Sequence, residues 1–304
     1  GTFKQIKAGH AAMILIENKT GLANYYDFGR YVTPDGLGRV RSCKTDHELI
    51  IPITAKLIGN GPLENLSDFL LWLDANPDKT HGDGRLVASV CEEINFKKAQ
   101  NYILKLQEKG SIPYGAFVKE GSNCARFVTE TVLVSTENEK IKKGLNYNKR
   151  FTPSAIGNVE KSANSLIYEV VNGEVNEYLG SAFKENLINY FHRQKKENQH
   201  KEIISNIPSG AQKLNGIGSS AWFIIELVSA AENIFQIKRY NDFHQVDYVG
   251  LFKTSVDFDI NQTYKITYDS NCEYCHVIQH RKKIKFSRIK TCPEFIQLQK
   301  AYSA

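Results

Sequence analysis

A hairpin pattern near the amino terminus constrains the fold more than any other part of the sequence. Residues 9–16 read Gly-His-Ala-Ala-Met-Ile-Leu-Ile, a nearly continuous apolar run of the length expected for a strand covered on both faces. The turn-forming residues Asn18-Lys-Thr-Gly21 follow, and residues 22–28 return to an extended pattern. The sequence therefore predicts a buried hairpin.

Helical and extended patterns both follow this hairpin, and together they predict an α+β fold with an antiparallel sheet. Helices are predicted at residues 66–73, 95–109, 124–134 and 182–194. Short strands are predicted at residues 39–41, 49–53, 86–90, 167–171, 174–178, 222–227, 246–252, 264–268, 276–279 and 284–289.

Residues 135–165 are mostly polar, and we interpret them as a domain boundary. This predicts a first domain at residues 1–160 and a second, smaller and mostly β module at residues 161–304, built as a small antiparallel sheet or barrel. The dipeptide Asn172-Gly173 predicts a hairpin within the module. We expect the module to pack against the first domain without supplying a catalytic side chain. Its aromatic strands favour a recognition surface, with a structural cover as the alternative.

Composition excludes several classes of protein. With 41% hydrophobic and 24% charged residues, the chain has the balance of an ordinary globular protein. A net charge of +6 is too weak to indicate a nucleic-acid binder, and the longest apolar stretch, residues 221–231, is too short to span a membrane. Six scattered cysteines, without a recognisable secretory signal, favour a reducing, cytoplasmic location, although a signal removed before Gly1 stays open.

Cys124 is the strongest candidate nucleophile. Ser122 and Asn123 are good helix caps, so Cys124 falls in the first turn of a predicted helix. The amide groups and dipole of that turn favour a thiolate, and the same amides can stabilise an oxyanion. A cysteine alone is more often a packing residue, so the assignment depends on a partner.

His10 and Asp27 supply that partner. A polar ring at the start of a buried strand is costly unless it is hydrogen-bonded. With an even-length loop at residues 18–21, His10 and Asp27 share a face of the sheet, directly opposite for two loop residues and diagonally for four. Tyr25 shares that face as well, but it carries no charge. A purely structural His10–Asp27 pair is the alternative interpretation.

These motifs resemble the circularly permuted NlpC-type, papain-like cysteine hydrolases, to which lecithin retinol acyltransferase-like proteins are related. The resemblance spans about residues 8–135 and follows the permuted order of histidine, acid and cysteine. Its motifs are the strand from Gly9, the acid at Asp27, the Ile112-Pro-Tyr-Gly115 segment and the helix start at residues 122–128. The chain departs from the group in two places, where Asp27 replaces a frequent glutamate and Ala125-Arg126 follows the cysteine.

The resemblance implies a catalytic role for each residue. Cys124 would be the nucleophile, His10 the base and Asp27 the orienting acid, with Tyr114 and Asn123 at the oxyanion and substrate site. The implied reaction is thiol-dependent hydrolysis of an amide or ester through a thioester, with no cofactor or metal. Cell-wall peptides, isopeptides and lipid esters remain open as substrates, as does the oligomeric state. The alternatives are a catalytically inactive binding protein and a thioester-forming acyltransferase.

Three other motifs have plain structural explanations. The Cys272-Glu-Tyr-Cys275-His276 spacing is that of a haem attachment site, but no second ligand pair accompanies it. Asp83 and Arg85 lie in a glycine-rich turn that could face a polar substrate. Residues 281–288 are basic and alternate like an exposed strand, which is typical of a solvated face.

Overall fold

The computed structural model describes residues 9–59, 61–82, 84–151, 154–191 and 207–292, and it has the predicted α+β class. Its strands are β1 (Ala12–Glu17), β2 (Leu22–Gly29), β3 (Leu37–Ser42), β4 (Leu86–Ser89), β5 (Ile112–Pro113), β6 (Ile167–Val171), β7 (Glu174–Glu177), β8 (Gln212–Leu214), β9 (Ala221–Ser229), β10 (Ile234–Tyr240), β11 (Val246–Lys253), β12 (Lys265–Ile266), β13 (Tyr274–Gln279) and β14 (Lys282–Thr291). Its helices are α1 (Leu66–Ala75), α2 (Pro77–Thr80), α3 (Phe96–Glu108), α4 (Cys124–Ser135), α5 (Glu139–Phe151), α6 (Ala155–Ser162) and α7 (Ala182–Phe191).

The chain forms two compact units whose segments alternate along the sequence. The first unit comprises Gly1–Phe28, Ile53–Lys109 and Pro113–Gln199, and the second comprises Gly29–Pro52, Gly110–Ile112 and His200–Ala304. This arrangement differs from the division predicted at residue 160. The difference arises because β6 and β7 complete a three-stranded sheet with β4, in the order β4-β6-β7, so residues on both sides of 160 share one sheet.

The predicted hairpin at Asn172-Gly173 is present in that sheet. Both turn residues have positive φ, 54° and 76°, as a two-residue turn between right-twisted strands requires. The turn joins β6 to β7 in an antiparallel pair that aligns Val170 with Val175.

The polar segment predicted as a boundary is helical instead. It contains α5 and α6, and α5 buries Ile141 and Leu145 against Val132 of α4. These two apolar residues are four positions apart and therefore lie on one helix face. Most other positions of α5 carry charged or amide side chains that face away from this small core, and that composition made the segment look like a linker.

The second unit is built on a seven-stranded sheet with the order β12-β13-β14-β11-β10-β9-β8. Its core is aromatic, with Phe223, Phe235, Phe252 and Phe286 almost completely buried. The Gln212 side chain donates to the Tyr264 carbonyl at 3.0 Å and accepts from the Ile266 amide at 2.8 Å. This side chain links β8 to β12, the two ends of the strand order, and nearly closes the sheet into a barrel.

The strand predicted at residues 49–53 is not formed. The chain makes a short 3-10 turn at His47–Leu49 instead. Buried ion pairs flank this turn, since Asp46 accepts two bonds of 2.6 Å from Arg39 and Arg239 lies 2.6 Å from Glu48. Within residues 49–53, Pro52 has no amide hydrogen to donate to a neighbouring strand, which disfavours a strand there. Within the described ranges, no helix combines the length and apolarity needed to cross a bilayer.

Candidate active site

The β1–β2 hairpin brings His10 to Asp27. The strands pair Ala12 with Asp27 and are joined by the four residues 18–21, so Asp27 lies diagonally across from His10 on the same face. His10 Nε2 is 3.0 Å from Asp27 Oδ2. The Asp27 carboxylate is completely buried, and 17% of the His10 side chain is exposed. This is the diagonal arrangement expected from a four-residue loop.

Cys124 begins α4, where the sequence predicted a helix start. Asn123 is the cap, and its side-chain oxygen accepts the Arg126 amide at 2.8 Å. Helix geometry leaves the amides of the first two residues, Cys124 and Ala125, without an acceptor inside the helix. These amides point toward any negative charge that develops beside the sulfur.

Cys124 and His10 are in contact. The two side chains are hydrogen-bonded, and Cys124 Sγ also lies 3.9 Å from the Gly9 carbonyl oxygen. Because Asp27 engages Nε2, the Nδ1 atom of His10 is the nitrogen available to the sulfur. The structure therefore brings together the three residues predicted as nucleophile, base and acid.

His10 is strongly basic in this setting. Burial disfavours the imidazolium and by itself lowers the pKa of His10. Hydrogen bonds with Asp27 and Cys124 and the negative charges of both outweigh this effect, and the pKa rises to about 9. His10 is therefore protonated at neutral pH, which places a cation beside the Cys124 sulfur.

Tyr114 lies on the segment that precedes the nucleophile. Its ring stacks on Phe28 with centroids 6.0 Å apart, and it lines the same cleft as Cys124. The Gly115 amide donates to the Ser122 carbonyl at 2.8 Å, and the Ser122 amide donates to the Pro113 carbonyl at 3.0 Å. These bonds hold the chain on either side of residues 116–121 together and fix Tyr114 relative to α4.

Arg126 and Gly121 stabilise this loop further. The Arg126 guanidinium donates to the carbonyls of Ala116 at 3.2 Å and Val118 at 3.0 Å. A Cβ atom at Gly121 would lie only 2.5 Å from the Pro113 carbonyl oxygen, so the close return of the chain requires glycine. Arg126 departs from the pattern of the resembled group, and its side chain stabilises the loop at residues 116–121 through these two hydrogen bonds.

Asn158 supports the nucleophile helix, and sequence reasoning missed it. Its amide donates to the Ala125 carbonyl at 2.7 Å, and its oxygen accepts from the Thr129 hydroxyl at 2.7 Å. Asn158 is buried on α6, inside the segment interpreted as a boundary. A buried asparagine with such bonds fixes the first turn of α4 on the rest of the unit.

A cleft of about 1790 Å³ contains the candidate residues. His10, Tyr114, Asn123 and Cys124 line it, and it continues past both α1 and α6. Pockets for small ligands usually measure roughly 300–1,000 Å³. The cleft is therefore large enough for part of a polymer.

The cap geometry offers a matched test of how Asn123 acts. Asn95 caps α3 in the same way, accepting the Lys98 amide at 3.0 Å. We expect Asn123→Ala and Asn95→Ala each to lower the free energy of unfolding by about 1 kcal/mol. Only Asn123→Ala should also slow alkylation of Cys124, because only that cap sets the first turn beside the sulfur. Urea titrations and alkylation rates measure both effects, and equal alkylation in the two variants would contradict the role assigned to Asn123.

The cysteine pair at residues 272 and 275 belongs to the core. Both side chains are fully buried, and burial raises the pKa of the Cys275 thiol to about 12. His276 lies beside them, with Nδ1 3.1 Å from the Asp269 carbonyl oxygen. Among the described residues, no group of three or more histidine, cysteine or acidic side chains could hold a metal ion, and no disulfide joins the six cysteines.

The other two motifs singled out in the sequence are the turn with Asp83 and Arg85 and the basic segment at residues 281–288. Arg85 lies 3.2 Å from Glu169 and donates to Glu185 at 2.5 Å, whereas Asp83 lies outside the described residues. In the basic strand β14, Ile284 and Phe286 are buried and the lysines between and before them are exposed. This alternation is that of a strand with one solvated face.

Comparisons with known proteins match two separate parts of the chain. Residues 1–141 match the family described as Type VI secretion system effector TseH-like, and residues 211–289 match the DUF6695 C-terminal domain. No curated protein and no solved structure matches the chain. The first family is of papain-like type and covers His10, Asp27, Tyr114 and Cys124. The resemblance to papain-like proteins is therefore supported at that level, while the circular permutation and the relation to lecithin retinol acyltransferase-like proteins stay predictions.

Proposed function

We propose that this protein is a cysteine hydrolase that cleaves an amide bond in cell-wall peptides through a thioester on Cys124. The observation that carries the proposal is the contact between Cys124, at a capped helix start, and a protonated His10 that a buried Asp27 holds. This is the combination that activated nucleophiles require, namely a nucleophile, a base within reach and a third group that orients the base.

The reaction follows from the positions of these groups. Cys124 Sγ attacks the carbonyl carbon, and the negative charge moves to the carbonyl oxygen, near the first-turn amides of α4 and the Tyr114 side chain. His10 gives a proton to the departing amine as the carbon–nitrogen bond breaks and the thioester forms. Water then attacks the thioester while His10 takes up its proton, the carbon–sulfur bond breaks, and the acid product leaves.

Two observations support a cell-wall peptide as substrate. The cleft exceeds the usual volume of small-molecule pockets. The amino-terminal match is to a family described as secretion-system effectors, and this description favours a target outside the producing cell, such as a cell-wall polymer, over a metabolite. The cytoplasmic location expected from the cysteines then describes the protein before export and stays a prediction.

Selective alkylation tests the nucleophile. At about pH 6, iodoacetamide should modify Cys124 well before the other cysteines, because its sulfur is partly exposed and lies beside the His10 cation. Cys43 and Cys91 serve as internal controls, since burial raises the pKa of both thiols. Mass spectrometry of timed digests measures the order, and modification of Cys124 no faster than these two would refute the proposal.

Incubation with purified peptidoglycan tests the bond. We expect new pairs of free amino and carboxyl groups in the released peptides, with the glycan strands unchanged. Addition of an excess amine or alcohol distinguishes the acyltransferase alternative, which would transfer the acyl group to the additive in preference to water. A fast-reacting Cys124 without any cleavage of cell-wall peptides would restrict the proposal to another acyl substrate.

A further inference from the structure

Asp27 receives a second hydrogen bond that the proposed reaction does not use. The Tyr25 hydroxyl donates to Asp27 Oδ2 at 3.1 Å, the same oxygen that lies 3.0 Å from His10 Nε2. Tyr25 is 1% exposed, and both residues lie on one face of β2 because they are two positions apart. A fully buried tyrosine hydroxyl is thus directed at the orienting carboxylate.

This bond affects both the charge and the direction of the carboxylate. Removing a carboxylate from water is costly unless donors replace its hydration. A hydrogen bond to the charged form favours that form. The tyrosine ring has few degrees of freedom and is packed in the core, so its hydroxyl also fixes where Oδ2 points.

We propose that Tyr25 is a positioning residue, whose hydroxyl keeps the Asp27 carboxylate ionised and directed at His10. The inference rests on the proposed function, because Tyr25 acts through Asp27 and His10 on the reactivity of Cys124. The charged groups that act on His10 are Asp27 from β2 and Cys124 from α4. On β1, the first titratable side chain after His10 is Glu17, at the far end of the strand.

The direction of the expected change follows from the rate of Cys124 alkylation at low pH. We call the fall of this rate with decreasing pH the acid limb. When Asp27 takes up a proton, it loses the charge that holds His10 as a cation against Cys124. Without the Tyr25 hydroxyl, this protonation should occur at higher pH. Tyr25→Phe is therefore expected to move the acid limb of Cys124 alkylation upward by about one pH unit. The rate should fall about 10-fold near pH 5 and less than about 3-fold near pH 8.

Tyr26→Phe is the matched control. Tyr26 is the next residue of β2, is also buried, and lies on the opposite face, across from Met13. Its variant should keep the acid limb of the unaltered protein. A general packing defect would lower the rate at every pH or lower the melting temperature without moving the limb, and this result would overturn the role assigned to Tyr25.

A second variant keeps the test valid if Tyr25→Phe folds poorly. Replacing Tyr25 by 3-fluorotyrosine retains the ring and makes the hydroxyl a stronger donor, so the acid limb should move downward. Superimposable profiles for the fluorinated and unaltered proteins would reject the positioning role while Cys124 remained fast. Slow alkylation of Cys124 in the unaltered protein would instead reject the proposed function, so the two failures are distinguishable.

Discussion

Replacing Cys124 by alanine is expected to reduce cleavage of cell-wall peptides by at least about 10³-fold, because the proposed reaction has no other nucleophile. The fold should remain intact. The side chain is only partly buried, and the substitution removes two weak sulfur contacts, one with the His10 ring and one with the Gly9 carbonyl oxygen at 3.9 Å. We therefore expect the free energy of unfolding to change by no more than about 1 kcal/mol. Peptide release from peptidoglycan and urea unfolding measure the two quantities.

Cys91→Ala provides the matched control for this loss. Cys91 lines the same cleft, but it makes none of the contacts of the Cys124–His10–Asp27 arrangement described above. Its variant should retain turnover within a few-fold of the unaltered protein. Equal losses in the two variants, or residual turnover in Cys124→Ala close to that of the unaltered protein, would show that Cys124 is not the nucleophile.

The parts of the site that the sequence could predict depend on local periodicity. Side chains alternate across a strand with a period of two, so the length of the loop at residues 18–21 was enough to place Asp27 and His10 on one face. Cap chemistry is equally local. The Asn123 side chain satisfies an amide three residues later, which places the helix start at Cys124 without any knowledge of the rest of the fold.

The parts that could not be predicted depend on contacts between distant segments. The importance of Asn158 arises from its bond with the Ala125 carbonyl, 33 positions earlier, which no pattern around residue 158 indicates. The bond between the Tyr25 hydroxyl and Asp27 depends on how a core ring is oriented. The continuation of the first unit past residue 160 likewise depends on the pairing of β6 with β4.

The longest strand absent from the prediction is β10, whose apolar alternation is interrupted by a buried charged residue. Strand β10 (Ile234–Tyr240) is an interior strand of the second sheet, between β9 and β11. Its inward residues are Phe235 and Ile237, and the polar Gln236 and Lys238 alternate with them. The next inward position is Arg239, which is buried through ion pairs with Asp46 and Asp247, so the apolar pattern breaks off early.

The basicity of His10 predicts how the stability of the first unit depends on pH. The folded-state pKa of His10 is raised from 6.5 to about 9, so folding is favoured by protonation of this ring. The stabilisation is fully present below about pH 6.5 and is lost as the pH rises through about 9. A shift of this size corresponds to about 3 kcal/mol between the two limits. The difference in the free energy of unfolding between the unaltered protein and His10→Gln should therefore fall by about 3 kcal/mol as the pH rises from below about 6.5 to above about 9.

The measurement requires a probe that reports on the unit containing His10. The chain has two tryptophans, and Trp72 lies in the first unit whereas Trp222 lies in the second. In a Trp222→Phe background, fluorescence-detected urea unfolding follows the first unit alone. Cys124→Ala should retain part of the pH dependence, because the bond between His10 and Asp27 remains and only the contribution of the sulfur is removed. A difference between the unaltered protein and His10→Gln that stays constant from about pH 6.5 to about pH 9 would mean that His10 is not held as a cation.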